Sequence, residues 1–449
     1  MKESVIVLFG ATGDLATKKV FPALYKLHEK EELTKCRKII AIGRKNKTSE
    51  EFVKDLKEKV VNYTEIEDEV YKAFSERIKY VEFDFNDKNK YRDLTSIISK
   101  YEGEKILYMA TSPTYFKMIT ENLAKAKFFK YENVKLAIEK PFGNSYKSAK
   151  DINKTLKKYI KEKNIYRLDH YLGKSMLQNI LALRFTNVVF ENVWNKDYIE
   201  SVLIDIPEEA GIEERGRYYD KAGAIRDMVQ SHVLQIVALL TMERSKNINK
   251  SKMKILKSLK KMKKKEIREN MITGQYESYR SEKDVLDESI VETYVEMKIN
   301  IKNKKWKNVP FYIRTGKKMD KKKFNISINF KESKGIRQFK EEELMPNKLI
   351  IEIYPKEGIK FNMNVKKPGV LNELDQADME YCESCKYLGK SPEAYENIIL
   401  NIINGDKTMF TSFEELKHSW KYIDRIIKYR NKDVGIYIDN SNGPIWKKS

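Results

Sequence analysis

The sequence predicts two domains of different classes: an α/β domain with a parallel, doubly wound sheet, and then an α+β domain with a large, mostly antiparallel sheet. Two patterns support this assignment. Over about the first 140 residues, short apolar runs alternate with amphipathic helical stretches, as they do in parallel sheets. From about residue 170, long helices are mixed with strands in which apolar and polar residues strictly alternate.

The α/β domain is predicted from apolar runs that have the length of buried strands. A helix from about Asp14 to Glu29 follows the first run. Because parallel strands need crossover connections, the intervening stretches are expected to be helices that cover the sheet. The predicted strands are Ser4–Phe9, Lys38–Ile42, Ile78–Phe83, Ile106–Met109 and Val134–Ile138.

The α+β domain is predicted from strands with a period of two. Polar residues separate the apolar ones in two segments, so each strand is expected to bury one face and leave the other wet. The apolar positions are Val295, Met297, Ile299 and Ile301 in one segment, and Ile359, Phe361, Met363 and Val365 in the other. We expect an N-terminal domain of residues 1–169 and a C-terminal domain of residues 170–449.

Composition indicates a globular protein. The 449 residues are 41% hydrophobic, which is enough for two cores. No apolar run approaches the roughly 20 residues of a membrane-spanning helix, and the first residues do not resemble a signal peptide. Three cysteines, Cys36, Cys382 and Cys385, are too few for a disulfide framework, so we expect thiols without a metal. A cytoplasmic protein that binds no membrane is predicted.

The net charge of +22 raises nucleic acid as a partner. The densest basic run, residues 244–268, contains Ile255, Leu259 and Met262 at helical spacing, which predicts one amphipathic surface helix. Elsewhere lysines are interleaved with acids, so solvated lysine faces are favoured and no nucleic-acid site is expected. A nucleic-acid-binding protein is the alternative from a different class.

A glycine-rich turn follows the first strand and opens the first helix. Gly10 permits a tight turn, Gly13 allows backbone to approach a pyrophosphate, and Ala16 allows close packing of helix on strand. The helix N-terminus adds N–H donors and a partial positive charge. The pattern predicts a Rossmann-like domain whose cofactor lies against Gly10, Ala11, Thr12, Gly13, Asp14 and Leu15.

Arg44 follows the second strand, where an NAD site usually carries an acid for the ribose 2′-hydroxyl. A guanidinium can pair with a 2′-phosphate instead, so NADP is the predicted cofactor and NAD a secondary acceptor. The alternative is an exposed arginine that merely ends a strand.

Four segments in this order resemble the glucose-6-phosphate dehydrogenase family. Further similarity reaches nearly to the end of the chain, in Gly274–Tyr276, Val309–Lys317, Pro392–Glu396, Gly405–Phe410 and Trp420. Each motif is short, but the ordered combination is specific. The four segments are Gly10–Ala16, Glu139–Gly143, Arg167–Lys174 and Arg226–His232.

The resemblance implies oxidation of glucose 6-phosphate at C1. His232 would be the general base and Asp169 the carboxylate that orients it. Taken alone, His232 borders an apolar helical stripe and would more often be a buried structural histidine. Without the resemblance, His170 would equally be a phosphate donor or a core histidine. The phosphate cradle that the family implies is His170, Tyr171 and Lys174, whose side chains all offer donors to a dianion.

The remaining site residues also come from the resemblance. Lys140 would contact both sugar phosphate and cofactor, while Glu208 and Asp227 would hold sugar hydroxyls. Lys317 and Lys322 match basic residues of the substrate pocket, although Lys322 lies in a lysine run that a solvated surface explains equally well.

The family resemblance also implies an oligomeric state, and it leaves two alternative functions open. No metal is expected, and a homodimer or homotetramer is implied. Ser175 stands where the family usually has Glu, and we predict no second structural cofactor site, because the chain is short for the family. The rivals are a dehydrogenase for another hexose 6-phosphate and a dinucleotide-binding regulator without catalysis.

Overall fold

The chain divides into two units in a computed structural model that describes residues 3–130, 134–336, 338–339, 344–387 and 391–444. The first unit is formed by Met1–Lys174 with Pro392–Lys417. The second is formed by Ser175–Ser391 with His418–Ser449. None of the described helices is long and apolar enough to cross a bilayer.

The first unit contains a six-stranded parallel sheet in the order β3-β2-β1-β4-β5-β6. Its central strands are buried on both faces, as expected for a sheet that helices cover on two sides. The order reverses direction between β1 and β4, which is where α/β sheets open a ligand crevice. The strands are β1 Ser4–Phe9, β2 Cys36–Gly43, β3 Ile78–Glu82, β4 Glu104–Met109, β5 Val134–Glu139 and β6 Ile165–Leu168.

Helices connect these parallel strands. A π-helical turn, Ala16–Val20, leads into the first helix, and single 3₁₀ turns lie at Phe128–Lys130 and Glu162–Asn164. Thr48 and Glu51 form a capping box that begins the second helix. The helices are α1 Phe21–Glu29, α2 Ser49–Val60, α3 Asp68–Glu76, α4 Tyr91–Ser99, α5 Pro113–Lys125 and α6 Tyr146–Leu156.

The second unit contains a nine-stranded sheet in the order β14-β13-β12-β11-β7-β10-β9-β8-β15. Neighbouring strands are antiparallel except for the pairs β7–β10 and β8–β15. The strands are β7 Ile199–Pro207, β8 Met271–Tyr276, β9 Tyr294–Asn300, β10 Pro310–Gly316, β11 Phe324–Phe330, β12 Lys348–Tyr354, β13 Gly358–Lys366, β14 Leu374–Cys382 and β15 Gly435–Tyr437.

Most helices of the second unit precede or interrupt this sheet. A long π-helical segment, Ile225–Val233, joins two of them, and 3₁₀ turns lie at Glu213–Arg215 and Tyr279–Ser281. The helices are α7 Ser175–Thr186, α8 Val188–Val193, α9 Gly216–Ala224, α10 Leu234–Thr241, α11 Ile248–Ser258, α12 Lys264–Glu269 and α13 Glu383–Lys386.

Two helices near the C-terminus complete the fold. They are α14 Ala394–Asn404, which lies in the first unit, and α15 Phe413–Tyr429, which begins in the first unit and ends in the second. Helix α14 packs on α1, and Lys30 of the α1 end forms an ion pair of 2.6 Å with the buried Glu396. Gly405 ends α14 in a left-handed conformation, with φ 80°.

The fold class predicted from the sequence is confirmed by both sheets. The predicted burial is confirmed for β9, where Val295, Met297 and Ile299 are buried. It is wrong for β13, because Ile359, Phe361 and the apolar residues after them are only partly buried. Strands β13 and β14 form the outer hairpin of the sheet, so fewer neighbours cover them.

The single amphipathic helix predicted within residues 244–268 is wrong. Helix α11 ends at Ser258, and α12 begins only at Lys264. Leu259 instead forms an antiparallel bridge with Ile301, and the Lys260 N–H donates to the Asn300 carbonyl over 2.8 Å. Pairing with the end of β9 thus overrides the helical periodicity, a tertiary effect that no local pattern reveals.

The expectation that Cys382 and Cys385 are thiols is also wrong, because the structure joins them in a disulfide. Cys382 ends β14 and Cys385 lies in α13, so the chain turns back on itself and brings the two Cα atoms to 5.3 Å. That separation suits a disulfide. Counting cysteines for a framework overlooked a pair that closes its own short loop, and only Cys36 is a buried free thiol among the described residues.

Candidate functional site

The carboxyl ends of the parallel strands gather the predicted cofactor residues at one edge of the first sheet. Gly10 follows β1 and Arg44 follows β2, while Lys140 follows β5 and Asp169 follows β6. Because all six strands run the same way, these four positions share that edge. The opposite edge carries none of the predicted site residues.

The turn after β1 has the geometry that a dinucleotide pyrophosphate requires. Gly10 has φ +83°, and a Cβ there would lie 2.6 Å from the Ala110 carbonyl oxygen, so only glycine fits. The N–H groups of Gly10 and Ala11 donate to the Ile42 carbonyl over 3.0 and 2.9 Å, which ties the turn to β2. Gly13 is exposed at the start of the helical segment, where backbone can approach a ligand.

Positive charge follows the end of β2. Arg44 is exposed directly after this strand, and Lys45 and Lys47 follow it. A small cleft beside them is lined by Thr12, Lys45, Lys47 and Asp55, and Lys47 forms an ion pair with Asp55. Sequence reasoning singled out Arg44 alone, although the two lysines that follow it within three positions were a readable signal.

Glu139, at the end of β5, is a buried carboxyl that the sequence reasoning passed over. The Tyr108 O–H donates to Glu139 Oε1 over 2.7 Å, and Tyr395 of α14 donates to the same carboxyl. Burial raises the pKa of Glu139 from 4.5 to about 7, against the opposing effects of both phenols and the adjacent Lys140. The Glu139 proton therefore titrates near neutral pH beside a predicted ligand residue.

The raised pKa of Glu139 predicts a pH-dependent stability. Between pH 4.5 and 7 the folded protein binds this proton more tightly than the unfolded chain, so the free energy of unfolding falls as the pH rises. The shift corresponds to roughly 3 kcal/mol. We expect Glu139→Gln, which keeps a polar partner for both phenols, to abolish that loss.

Urea unfolding of the wild type and Glu139→Gln at pH 5, 6, 7 and 8 measures this effect. The free energy of unfolding of Glu139→Gln should increase relative to that of the wild type as the pH rises from 5 to 7. If the free energies of unfolding of the two proteins changed in parallel with pH, Glu139 would not be a buried, neutral carboxyl.

The loop after β6 holds the proposed phosphate cradle in a fixed turn. Asp169 is buried and its Oδ1 accepts the Tyr171 N–H over 3.1 Å. The His170 ring packs edge-on against Tyr171, with ring centroids 4.9 Å apart. Gly173 lies so close to α14 that a Cβ would be 2.4 Å from the Ala394 carbonyl oxygen, and the Lys174 N–H donates to the Tyr171 carbonyl. The loop therefore presents its side chains from a tightly packed base.

In the second unit, the parallel pair β7 and β10 brings Glu208 and Lys317 together. Each residue directly follows its strand, and the two side chains form an ion pair. The Glu208 N–H donates to the Gly316 carbonyl, and the Tyr437 O–H donates to the Lys317 carbonyl over 2.6 Å. Hydrogen bonds thus hold both main chains, and the ion pair joins the two side chains.

Asp227 and His232 lie on the π-helical segment between α9 and α10, and both are buried. The Tyr218 O–H donates to Asp227 Oδ1 over 3.1 Å. Burial and then the Asp227 charge raise the pKa of the neighbouring Tyr219, which stays a neutral phenol. Such π-helical turns are frequent at functional sites. They change the spacing of side chains, so α-helical periodicity put His232 at the border of an apolar stripe although it is fully buried.

Lys322 contacts a different strand of the second unit from the Glu208–Lys317 pair. It is exposed, and its Nζ is 4.3 Å from the centre of the Tyr354 ring of β12. The neighbouring Lys323 instead forms an ion pair of 2.7 Å with the buried Asp205. The lysine run therefore contains residues in different surroundings, which its sequence does not distinguish.

Fold and site together define a two-domain, dinucleotide-dependent oxidoreductase. Residues 7–179 match the model of the glucose-6-phosphate dehydrogenase NAD binding domain, and residues 181–448 match that of the glucose-6-phosphate dehydrogenase C-terminal domain. The chain therefore belongs to the glucose-6-phosphate dehydrogenase family. A nicotinamide cofactor follows from this membership, and the resemblance inferred from the four segments is confirmed.

Similar proteins agree with this assignment over nearly the whole chain. Glucose-6-phosphate 1-dehydrogenase of Borreliella burgdorferi is 37% identical, covering 98% of this chain and 95% of the relative. The enzyme of that name from Bacillus subtilis is 36% identical, covering 94% and 91%. A solved glucose-6-phosphate dehydrogenase in complex with its substrate glucose-6-phosphate has a TM-score of 0.90 and 31% identity, covering 99% of this chain and 96% of that one.

Proposed function

We propose that this chain oxidises D-glucose 6-phosphate at C1 to 6-phosphoglucono-1,5-lactone, with NADP⁺ as the main hydride acceptor and NAD⁺ as a secondary one. This is the first step of the oxidative pentose phosphate pathway. One observation supports the proposal: the glycine turn, Lys140 and the Asp169–Lys174 loop all lie at the carboxyl edge of the same parallel sheet. A cofactor on the turn then lies next to donors for a phosphate ester.

The reaction removes a hydride from C1 and a proton from the C1 hydroxyl. Bound NADP⁺ supplies the hydride acceptor. His232 takes the hydroxyl proton, since a neutral imidazole has the right basicity near pH 7. Asp169 orients the imidazole, and its negative charge stabilises the positive charge that develops on His232 when the imidazolium forms.

Phosphate recognition falls to His170, Tyr171 and Lys174, with Lys140 between sugar phosphate and cofactor. Imidazole, phenol and ammonium groups all donate to a dianionic phosphate, and charge makes these hydrogen bonds strong. The packed base of the loop holds the donors in place before the substrate arrives, which lowers the entropy lost on binding.

Recognition of the sugar ring falls to the second unit. Glu208 and Asp227 accept hydrogen bonds from sugar hydroxyls, and Lys317 and Lys322 add positive charge. The ion pair between Glu208 and Lys317 holds the carboxylate in one orientation, which suits an acceptor that reads ring stereochemistry.

We further propose that residues 1–169 bind NADP and residues 170–449 bind substrate and assemble the chain into a homodimer or homotetramer in the cytoplasm. The partly exposed apolar residues of the β13–β14 hairpin support assembly, because apolar surface of this kind is what subunit interfaces cover. Leu371, between the two strands, is 82% exposed.

Steady-state kinetics with a panel of hexose 6-phosphates tests this function. Glucose 6-phosphate with NADP⁺ should give the highest kcat/KM, NAD⁺ a lower one, and unphosphorylated glucose a far lower one. A preference for mannose or galactose 6-phosphate would favour the rival dehydrogenase. Failure of the folded protein to reduce either cofactor with any of them would overturn the proposal.

Replacing Arg44 by Ala is expected to change the cofactor preference. A charge-assisted hydrogen bond to a 2′-phosphate contributes about 1.5–3 kcal/mol, so KM for NADP⁺ should rise roughly 10- to 150-fold. KM for NAD⁺ should stay nearly constant, because NAD⁺ lacks that phosphate.

Arg37→Ala is the matched control, since Arg37 is an exposed arginine near the start of the same strand, at its opposite end. This substitution should leave KM for NADP⁺ and KM for NAD⁺ unchanged. Equal effects of Arg44→Ala on NADP⁺ and NAD⁺ would refute the assigned role of Arg44.

A further inference from the structure

A cleft of about 340 Å³ opens on the first unit at residues that play no part in the proposed reaction. It lies where the loop after β3 meets the start of α4 and the end of α5. Its volume is at the lower end of the range for small-molecule sites. We call it the basic cleft and define it by Lys88, Asn89, Tyr91, Arg92, Asn122 and Lys125.

Three cations line the basic cleft, and no acid does. Lys88, Arg92 and Lys125 are exposed and form no ion pair with any residue that the structure describes. The nearby acids Asp84 and Asp87 instead accept hydrogen bonds from their own loop, including that from the Asn89 N–H to Asp87 over 3.0 Å. No carboxylate among the described residues is therefore paired with the cations of the cleft.

A buried amide supplies the second, independent observation. Asn122 is only 5% exposed and lines the cleft. Its amide interacts with the Tyr91 phenol, and the second N–H of Nδ2 has no acceptor among the described residues. The neighbouring Tyr91 O–H donates to the Phe85 carbonyl over 2.9 Å, which fixes the wall at the start of α4. A buried donor without an acceptor is destabilising, so a ligand that supplies the acceptor gains affinity from it.

We propose that the basic cleft binds the pyrophosphoryl group of a small polyanion. Two linked phosphoryl groups carry about three to four negative charges at pH 7, which matches three cations. Their oxygens suit the planar fork of Arg92 and the Asn122 Nδ2 donor. The wall offers only Tyr91 as a large apolar surface, and that side chain is buried, so recognition rests on phosphate rather than on an attached base or sugar.

A second cavity on the same unit provides the matched control. It measures about 390 Å³ and is lined by Lys117, Lys154 and Lys158, but also by Glu121 and Asp151. It therefore has as many lysines as the basic cleft has cations, while its own acids offset them. The cleft is distinguished by unbalanced charge and a buried donor rather than by lysine count.

Isothermal titration with inorganic pyrophosphate tests the proposal. The protein is first saturated with NADPH and glucose 6-phosphate, which occupies the phosphate sites of the proposed function without turnover. We expect one further site per chain, a tenfold or greater loss of affinity in Arg92→Gln and in Asn122→Leu, and none in Lys158→Gln. Titrations with ATP, adenosine and citrate then show which chemical group the cleft recognises. ATP should bind like pyrophosphate, and adenosine should not bind.

Three outcomes would overturn the proposal: absence of a further site in the saturated protein, displacement of pyrophosphate by NADPH, and an equal loss of affinity for pyrophosphate in Lys158→Gln. Citrate binding as tight as that of pyrophosphate would overturn the assignment to phosphate. Asn122→Leu that fails to fold leaves Arg92→Gln to decide, because Arg92 is exposed and its replacement disturbs no packing.

Discussion

Replacing His232 by Asn is expected to lower kcat for glucose 6-phosphate oxidation by about 10²- to 10⁴-fold, the usual loss when a general base is removed. Affinity for NADP⁺ should be retained, because the glycine turn lies in the other unit of the chain. The pH profile is a second readout. In the wild type, log kcat/KM rises with pH while the imidazole loses its proton, and the variant should lack that limb.

His28→Asn is the matched control for this experiment. His28 is a partly buried histidine of α1 whose ring packs on Phe74, so it tests loss of an imidazole without loss of the base. Its turnover should equal that of the wild type. Wild-type turnover in His232→Asn, or an unaltered acid limb, would contradict the role given to His232.

Replacing Lys174 by Gln is expected to raise KM for glucose 6-phosphate roughly 10- to 150-fold, the equivalent of one charge-assisted hydrogen bond to phosphate. The turnover number at saturation should change little, since the phosphate is remote from C1. Oxidation of unphosphorylated glucose should be unaffected, because glucose offers Lys174 no dianion. Steady-state kinetics with both sugars measures the difference.

Lys163→Gln controls for the loss of a positive charge from the same region of the sequence. Lys163 is exposed on the 3₁₀ turn before β6. Lys163→Gln should leave the steady-state kinetics with both sugars unchanged. If Lys174→Gln weakens glucose and glucose 6-phosphate alike, Lys174 supports the fold of the loop and does not read phosphate.

Local patterns predicted most of the first unit. The apolar run Ser4–Phe9 is β1 with the same bounds, and the spacing of Gly10, Gly13 and Ala16 predicted the turn that follows. Such features are readable because burial and backbone sterics act on neighbouring residues. Strand β6 was missed, since its four residues merge with the motif that begins at Arg167.

Features that depend on distant partners were not predictable. Leu259 leaves helical geometry because Ile301 pairs with it, and Glu139 becomes a buried acid because Tyr108 and α14 enclose it. The Cys382–Cys385 disulfide was missed for a different reason: its cysteines are only three residues apart, and the turn between β14 and α13 that joins them was not predicted. The catalytic and substrate residues came from family resemblance, because their chemistry depends on side chains that are far apart in sequence, whereas the glycine turn and Arg44 were found from local pattern.

The most direct test of the central claim uses glucose 6-phosphate deuterated at C1. Incubation with the folded chain and NADP⁺ should yield 6-phosphogluconolactone and a reduced cofactor that carries the deuterium at C4, as hydride transfer requires. Nuclear magnetic resonance of the purified cofactor locates the label. Deuterium released to solvent, deuterium retained in the sugar, or no reduction of the cofactor would contradict the account.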